Sequence, residues 1–518
     1  MAFLRFNRFI DISRAIAFAG FIGSACLAPS VASAQSISQP WTGHGHTPQH
    51  TANASAAAQP LNQIRWQMPV DLQPQYWGDD LLIHYGSALV TASNTVIVPV
   101  KTGALGGFRI EARNGSDGAV KWMLATDYVL PPHNWTPSCS PALTPKNRVY
   151  FPGAGGTVLF RDQADSTNGS TGRLAFYGLT NYTANPAPYS NNVMINTPIT
   201  ADRYGNIFFG FQVTGTNPLA LKSGIACIGH DGIGTWISAA TAAGGDTNIT
   251  KVVHNCAPAL ANDHRTLYVA VSTGSFGSGY LIALDSRTLA PLARAQLKDP
   301  SSDYDASLPD DGTASPMIGP DGEVYFGVLE YPFGSNHSRG WLLHFNSTLS
   351  QTNLPGAFGW DQTPSVVPAS VVPSYLGVSR YLLMSKYNNY AAIGGGDGVN
   401  KLAVLDPNTS MVEPATGTTV MKEVLTIAGV TPDAEYTNTF PNAVREWCIN
   451  TAVVDPAGHC VLANSEDGKL YRWDFVSNTF TEVITLTPGI GEAYTPVLAG
   501  VDGTVYAINN SILFAVGQ

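Results

Sequence analysis

Short apolar segments separated by polar turns recur along most of the chain, and a common dipeptide marks the start of each unit. A Ser/Thr-Pro-like pair followed by apolar residues occurs eight times, with its second residue at Ala88, Pro141, Pro198, Pro258, Pro316, Pro364, Ala452 and Pro496. Most intervals between these positions are 44 to 60 residues long. Self-similarity at such a period is typical of repeat architectures, propellers among them.

The pattern inside each unit predicts four β-strands. After the first apolar strand, a polar turn such as Pro320-Asp321-Gly322 leads to a second strand such as Glu323-Val324-Tyr325-Phe326. A third strand often ends in Asp or Asn, as in Leu281-Ile282-Ala283-Leu284-Asp285, and a less regular fourth follows. The strands are rich in β-branched and aromatic residues. Eight units of four strands predict an all-β protein, an eight-bladed β-propeller, with seven blades if one unit is misassigned.

The two ends of the repeat region complement each other. The last unit reaches Gln518 after only three strands, while residues 63–68 form a spare strand before the first unit. We expect this strand to pair with the last blade and close the ring, which removes an open sheet edge. Residues 61–518 are therefore predicted to form one domain, preceded by an N-terminal extension at 35–60. The long interval between Pro364 and Ala452 predicts an insertion at about 408–446.

The first 34 residues have the pattern of a signal peptide. Arg5, Arg8 and Arg14 precede an apolar run at 15–28, and Ala32-Ser33-Ala34 follows as a small-residue cleavage site. The run is too short to span a bilayer. We therefore expect a secreted or periplasmic protein that begins at Gln35 and has no membrane span.

Composition narrows the function. Only 12% of residues are charged and the formal net charge is −10, which argues against a nucleic-acid-binding surface. Beyond the signal sequence the cysteines are neither adjacent nor spaced like zinc ligands, so we expect buried free thiols at Cys139, Cys227, Cys256, Cys448 and Cys460. We expect a monomer that binds a small-molecule or glycan ligand.

Two repeat sequences resemble those of pyrroloquinoline-quinone (PQQ) enzymes. They are Gly-Ser-Asp-Gly-Ala-Val-Lys-Trp at 115–122 and Asp-Gly-Thr-Val-Tyr-Ala at 502–507. The segment 41–51 also resembles the lead-in of secreted PQQ-like propellers. The resemblance implies the quinoprotein alcohol dehydrogenase-like fold, with PQQ and Ca²⁺ as cofactors. The chain lacks the adjacent cysteine pair that roofs the quinone in that family.

The loop before each inner strand lines one mouth of a propeller's central funnel. His84 and His254 each lie three residues before the Ser/Thr-equivalent position, so they should point into this funnel from two blades. Histidines that share a cavity suit proton transfer or metal binding. The alternative is that each caps a turn. The candidate catalytic residues of the funnel are His84, Tyr85, His254, Arg445 and Tyr494.

Carboxylates in the same loops provide ligands for a hard cation such as Ca²⁺. The candidate metal ligands are Asp310, Asp311, Asp361 and Glu492, with Glu446 as a further carboxylate. The resemblance implies that Asn255, Asp310 or Asp311, Arg445 and Glu446 hold the cation and cofactor. Trp447, whose ring could stack on a flat ligand, is a further candidate cofactor-binding residue. The alternative is that these residues form salt bridges between blades and local turns.

His44, His46 and His50 form a His-x-His-x-x-x-His pattern in the N-terminal extension. Copper or zinc could bind there. The alternative, which we favour, is a docking segment that lies on the side of the propeller.

Three functions remain open at this point. The first is a quinoprotein-type oxidoreductase, favoured by the repeats and the polar funnel. The second is a carbohydrate-active enzyme, such as a polysaccharide lyase acting on acidic glycans, with Arg445 to neutralise a uronate and a His or Tyr as the base. The third is a non-catalytic binding or assembly module, because one fold hosts many functions.

Overall fold

The structure is a computed structural model that describes residues 38–78, 80–489 and 496–518. The predicted signal peptide, residues 1–34, and residues 35–37 of the predicted N-terminal extension lie outside the described residues. Within them, no helix has both the length and the apolar character that a membrane span requires.

The described strands form eight antiparallel sheets arranged as the predicted blades, together with a small hairpin at Tyr76–Trp77 and Asp80–Leu81. Blade 1 contains Leu89–Val90, Thr95–Gly103, Gly106–Asn114 and Val120–Thr126. Blade 2 contains Ala142–Leu143, Val149–Pro152, Thr157–Arg161 and Thr171–Ala175. Blade 3 contains Val193–Ile195, Thr200–Ala201, Ile207–Val213, Gly224–Ile228 and Gly234–Ser238. Blade 4 contains Lys251–Val252, Ala259–Leu260, Thr266–Ser272, Gly279–Asp285 and Pro291–Gln296.

The remaining blades follow the same order from the inner strand outward. Blade 5 contains Met317–Ile318, Val324–Val328 and Trp341–Phe345. Blade 6 contains Ser365–Pro368, Tyr381–Tyr387, Lys401–Val412 and Thr419–Ala428. Blade 7 contains Val453–Asp455, Cys460–Asn464, Lys469–Asp474 and Thr479–Thr485. Blade 8 contains Leu498–Ala499, Val505–Asn509, Ile512–Gly517 and, from the other end of the chain, Gln63–Pro69.

The predicted ring closure is confirmed. Gln63–Pro69 pairs antiparallel with Ile512–Gly517 and supplies the fourth strand of blade 8. The Trp66 ring packs on Tyr506 at 5.7 Å between centroids, and its Nε1 donates to the Gly115 carbonyl at 2.9 Å. The closing strand therefore joins blade 8 to blade 1 as well as completing its own sheet.

The core lies between neighbouring blades. Central strands such as Val324–Val328 and Cys460–Asn464 are buried at every position, because each of their faces packs against another blade. This explains why the second strand of each unit is a continuous apolar run rather than an alternating one. The five described cysteines are buried and no disulfide joins any two of them, as expected.

The insertion predicted at about 408–446 falls on part of the outer hairpin of blade 6 and on the connection that follows it. Residues 408–428 belong mostly to the outer hairpin of the blade, which consists of Lys401–Val412 and Thr419–Ala428. The remaining extra length lies in the connection after Ala428 and in the 369–380 segment before Tyr381.

The few described helices lie in connections between strands. The α-helices are Leu179–Ala184, Pro186–Asn192 and Ala239–Ala242. The 3₁₀ turns are Ala154–Gly156 and Ala369–Val371.

The N-terminal extension lies across one end of the central channel, so the interpretation that it docks on the side of the propeller is wrong. Its backbone between Trp41 and Ala54 hydrogen-bonds to the inner strand of six blades, at Val90, Leu143, Leu260, Ile318, Val366 and Val454. These residues follow the mouth loops by several positions along each inner strand. The extension therefore closes the end of the channel opposite the mouth.

The three histidines of the extension are buried in this closure. His50 donates from Nδ1 to the Pro316 carbonyl at 2.7 Å, and His44 Nε2 lies 3.3 Å from Thr363 Oγ1. His46 stacks on Trp41 with 4.5 Å between ring centroids. Burial lowers the pKa of His46 and of His50 to about 4. The His44 and His50 rings also meet edge to face, with 5.0 Å between centroids, while His46 Nδ1 and His50 Nε2 have no hydrogen-bond partner in the described residues. The contacts of the three rings with Pro316, Thr363 and Trp41 favour a structural role over copper or zinc binding.

Candidate functional site

The mouth loops are tied together by His84 and Asn255. His84 Nε2 donates to the Asp311 carbonyl at 2.9 Å, and its Nδ1 lies 3.4 Å from the Asn255 amide nitrogen. The Asn255 amide oxygen accepts from the Ser138 backbone N–H at 2.9 Å. Asn255 has φ of 56°, a left-handed conformation that Asn tolerates better than most residues. These contacts connect the loops before blades 1, 2, 4 and 5.

Two of the predicted carboxylates at the mouth are paired with lysines. Lys251 Nζ lies 2.6 Å from Asp310 Oδ2, and Lys386 Nζ lies 3.1 Å from Asp361 Oδ2. Asp361 Oδ1 also accepts from the backbone N–H and the hydroxyl of Thr313, at 3.1 and 2.9 Å. Asp361 thus binds within the protein, which agrees with the salt-bridge alternative for this residue.

Tyr85 is hydrogen-bonded to a third buried ion pair, which Lys101 and Asp71 form. Its hydroxyl donates to Asp71 Oδ2 at 3.0 Å, and Lys101 Nζ lies 3.0 Å from the same oxygen. Burial and the neighbouring Asp71 raise the pKa of Tyr85 above its ordinary value. Tyr85 is therefore a hydrogen-bond donor in this pair and is poorly suited to act as a base.

Several polar atoms near the mouth are buried and have no hydrogen-bond partner in the described part of the chain, among them the acceptors Asp310 Oδ1, Asp311 Oδ1 and His254 Nδ1. Asn196 Oδ1, the Ser138 hydroxyl and the Trp360 indole N–H, which is a donor, belong to the same group. The first three atoms belong to blades 4 and 5. His254 Nε2 donates to Gln212 Oε1 at 2.9 Å, which leaves Nδ1 with a lone pair. Burial and the nearby Lys251 lower the pKa of His254 to about 3, so its ring is neutral near pH 7. All three atoms are consequently acceptors that lack a donor.

Among the described residues, Asp310 and Asp361 each form an ion pair with a lysine, whereas Asp311 forms none. Burial and the neighbouring Asp361 raise the pKa of Asp311 to about 6. A carboxyl group with such a pKa can take up and release a proton near neutral pH.

Below the mouth, the axis of the propeller is nearly filled. A cavity of about 10 Å³ lies between His44 of the extension and the mouth residues His84, Tyr85 and Asn255. This volume holds about one water molecule. A larger ligand would therefore have to bind above this level, at the mouth itself.

The candidate residues of blade 7 form a separate group. Arg445 lies 2.9 Å from Glu466 and 3.6 Å from Asp433. Glu446, Cys448 and Glu466 each place a possible metal ligand within 4.8 Å of the others, the one such group found in the described residues.

Trp447 lies in the core rather than at the mouth. Its ring packs on Tyr471 and Phe480, at 5.3 and 5.7 Å between centroids, and it is 1% exposed. This position does not fit the predicted cofactor contact. Glu492 and Tyr494 lie outside the described residues.

The set that the resemblance implies for Ca²⁺ and PQQ does not come together in the described residues. Asn255 and Asp361 already bind protein groups, and Arg445 and Glu446 belong to the blade 7 group. The described cysteines form no disulfide that could cover a quinone ring. The arrangement of these residues therefore does not fit the Ca²⁺ and PQQ site that the resemblance implies, and we derive no reaction step through a quinone.

Sequence reasoning missed two important residues of the mouth. Lys251 and Gln212 fix Asp310 and His254, yet neither belongs to a recognisable motif. Lys251 lies three residues before His254, and this spacing was the only available signal.

Comparison of the structure with solved proteins supports the predicted fold. A europium-containing methanol dehydrogenase matches with a TM-score of 0.57 and 11% identity, over 90% of this chain and 89% of that one. Quinohemoprotein alcohol dehydrogenase from Comamonas testosteroni matches with a TM-score of 0.52 and 11% identity, over 92% and 77%. The Dos1 propeller matches with a TM-score of 0.51 and 10% identity, over 88% and 97%.

These likenesses concern the fold. The chain is an eight-bladed β-propeller, and its fold is similar to that of the two dehydrogenases. No family model matches the sequence, and no curated protein matches it. At such low identity the likeness establishes the fold alone.

Proposed function

We propose that the funnel mouth binds a hydroxyl-bearing molecule and that Asp311 accepts a proton from it. The observation that carries this proposal is the presence of three buried acceptors without a donor, Asp310 Oδ1, Asp311 Oδ1 and His254 Nδ1. A ligand rich in O–H groups supplies the missing donors. A ligand that only accepts hydrogen bonds, such as a carboxylate, does not.

Energetics supports a ligand of this kind. A buried polar atom left without a partner costs about 1–3 kcal/mol. Three such atoms at one mouth destabilise the unliganded protein, and the hydroxyls of a bound polyol or sugar would remove this penalty by donating hydrogen bonds to them. The contacts of Lys251 and Gln212 hold Asp310 and His254 in fixed orientations before the ligand arrives.

Proton transfer is assigned to Asp311. Its Oδ1 would accept the ligand's O–H, and its raised pKa suits a group that is ionised at pH 7 and protonated after the transfer. His84 holds the Asp311 backbone in place through Nε2. His84 is therefore a positioning residue.

Alcohol oxidation is the reaction that the names of two fold neighbours describe, and a quinoprotein-type oxidoreductase remains our prediction for the chemistry. Export to the periplasm or medium, a Ca²⁺ requirement and a monomeric state likewise remain predictions.

The test is a thermal melt of residues 35–518 with a panel of alcohols, polyols and sugars. It is repeated with PQQ, Ca²⁺ and EDTA while dye reduction is followed in parallel. We expect at least one hydroxyl compound to raise the Tm of the parent and of the control Asp303→Asn, but not of Asp311→Asn. Dye reduction that needs both PQQ and Ca²⁺ would establish the oxidoreductase. If no hydroxyl compound shifts the Tm, the proposed function is wrong.

A further inference from the structure

Four aromatic side chains stand exposed beside the mouth, in loops of blades 4 and 5. Phe276 is 50% exposed, Tyr304 60%, Tyr331 50% and Phe333 65%. We call these four residues the aromatic rim. Phe276 follows the second strand of blade 4, Tyr304 lies between blades 4 and 5, and the other two follow the second strand of blade 5. All three loops are at the end of the blades where the inner strands begin.

Backbone contacts join the rim to the mouth. The Phe276 N–H donates to the Leu308 carbonyl at 3.0 Å, and Leu308 precedes Asp310 by two residues. Ser302 donates its hydroxyl proton to the Tyr331 carbonyl at 2.8 Å. The Tyr304 and Tyr331 rings meet edge to face, with 5.9 Å between centroids. The rim and the unpartnered acceptors therefore lie on loops that are hydrogen-bonded to one another.

Exposure of four rings on adjoining loops requires an explanation, because apolar side chains grouped on a surface commonly mark a binding site. Flat rings are suited to the apolar face of a pyranose, whose hydroxyls project around its edge. An apolar protein surface could cover the rings, but it would not supply donors to Asp310, Asp311 and His254. A carbohydrate meets both requirements.

We propose that the aromatic rim binds consecutive sugar rings of a neutral glycan chain and brings the hydroxyls of its end residue to the mouth. This inference rests on the proposed function and names its ligand class. Asp311 and the net charge of −10 disfavour an anionic chain. The acidic glycans considered from the sequence are therefore the less suitable ligands.

The test measures binding by calorimetry for maltohexaose, cellohexaose, xylohexaose and mannohexaose, and for the corresponding monosaccharides. One variant carries both rim substitutions, Tyr331→Ala and Phe333→Ala. The other carries Asp311→Asn at the mouth. The control is Leu376→Ala with Val378→Ala. These two side chains are each 94% exposed and lie in a turn at the opposite end of blade 6.

We expect one hexasaccharide to bind more tightly than its monosaccharide. Loss of the two rim rings should weaken the hexasaccharide by about tenfold or more while leaving the monosaccharide unchanged. The control should bind like the parent. Since the rim side chains are exposed, the melting temperature of the rim variant should stay that of the parent, which excludes misfolding as the cause.

Failure of this inference can be distinguished from failure of the proposed function. If a monosaccharide binds in a way that needs Asp311, but the rim variant leaves hexasaccharide affinity unchanged, the rim proposal is overturned and the mouth proposal stands. If neither length of sugar binds and no alcohol shifts the Tm, both are overturned. If the rim variant alters only self-association in sedimentation, the rim is a protein contact and the glycan proposal is wrong.

Discussion

His84 of the loop before blade 1 donates its Nε2–H to the backbone carbonyl of Asp311, in the loop before blade 5, at 2.9 Å. Two loops more than two hundred residues apart in sequence are thereby joined across the mouth. The bond requires a proton on Nε2, so Nδ1 can accept from Asn255 only while the ring is neutral. Burial lowers the pKa of His84, in agreement with this neutral state. His84 and Asn255 thus hold the loops before blades 1, 2, 4 and 5 together by hydrogen bonds.

Asp311→Asn should stabilise the protein at alkaline pH. The folded-state pKa of Asp311 is raised from 3.8 to about 6, so the proton-bound form is favoured by folding and this contribution is lost as the pH rises through 6. Asn cannot ionise and avoids the buried charge. We expect a gain of about 1–2 kcal/mol at pH 8 that vanishes towards pH 4, measured by urea unfolding at several pH values. A loss of stability at pH 8 would contradict the assignment.

The buried histidines of the extension should make the protein sensitive to acid. The folded-state pKa values of His46 and His50 are lowered from 6.5 to about 4, so their contribution is complete above pH 6.5 and is lost as the pH falls towards 4. Each should cost up to about 2–3 kcal/mol over that range.

The variant His50→Gln isolates one of these contributions. It should be less stable than the parent at pH 7 and should lose less stability on acidification, as followed by denaturant unfolding. The exposed His230 provides a control, because His230→Gln should leave the slope between pH 7 and pH 4 unchanged. Equal slopes for parent and His50→Gln would rule out this origin.

Lys386 and Asp361 form an ion pair in which both side chains are 0% exposed. Lys386→Met leaves the carboxylate buried without its cation and should cost about 3–5 kcal/mol. Adding Asp361→Asn removes the stranded charge and should recover part of that loss. A double-mutant cycle in urea measures both effects. Additive losses would mean that the two groups do not interact.

Trp66 should be critical to ring closure. It is 9% exposed, packs on Tyr506 and donates to Gly115 of the neighbouring blade. Trp66→Ala should cost about 3–5 kcal/mol in unfolding free energy. Trp77, which is 77% exposed, offers a matched control whose replacement by Ala should have little effect. Similar losses for both tryptophans would argue against closure by this strand.

The fold was predictable because each repeat unit contains the same short sequence patterns of strands and turns. Apolar runs such as Val324–Val328 and turns such as Pro320-Asp321-Gly322 recur at a fixed period, and the spare strand Gln63–Pro69 matches the incomplete last blade. The path of the extension was not predictable, because its contacts with Leu260 or Val454 are made by backbone groups that every sequence carries.

The candidate site was predictable only in part. Register placed His84, His254, Asp310 and Asp311 at the mouth, since position along the inner strand decides which end a loop occupies. The partners of these residues, such as Gln212, lie on other strands and are fixed by tertiary packing. Trp447 shares the register of the mouth loops, yet packing against Phe480 turns its ring into the core.

The central claim is tested most directly by a crystal structure of residues 35–518 with the hydroxyl compound that gives the largest thermal shift. The account predicts a ligand hydroxyl about 2.6–3.0 Å from Asp311 Oδ1, with further hydroxyls donating to Asp310 Oδ1 or His254 Nδ1. A ligand bound elsewhere, or a donor of the chain itself already bonded to these three atoms, would contradict it.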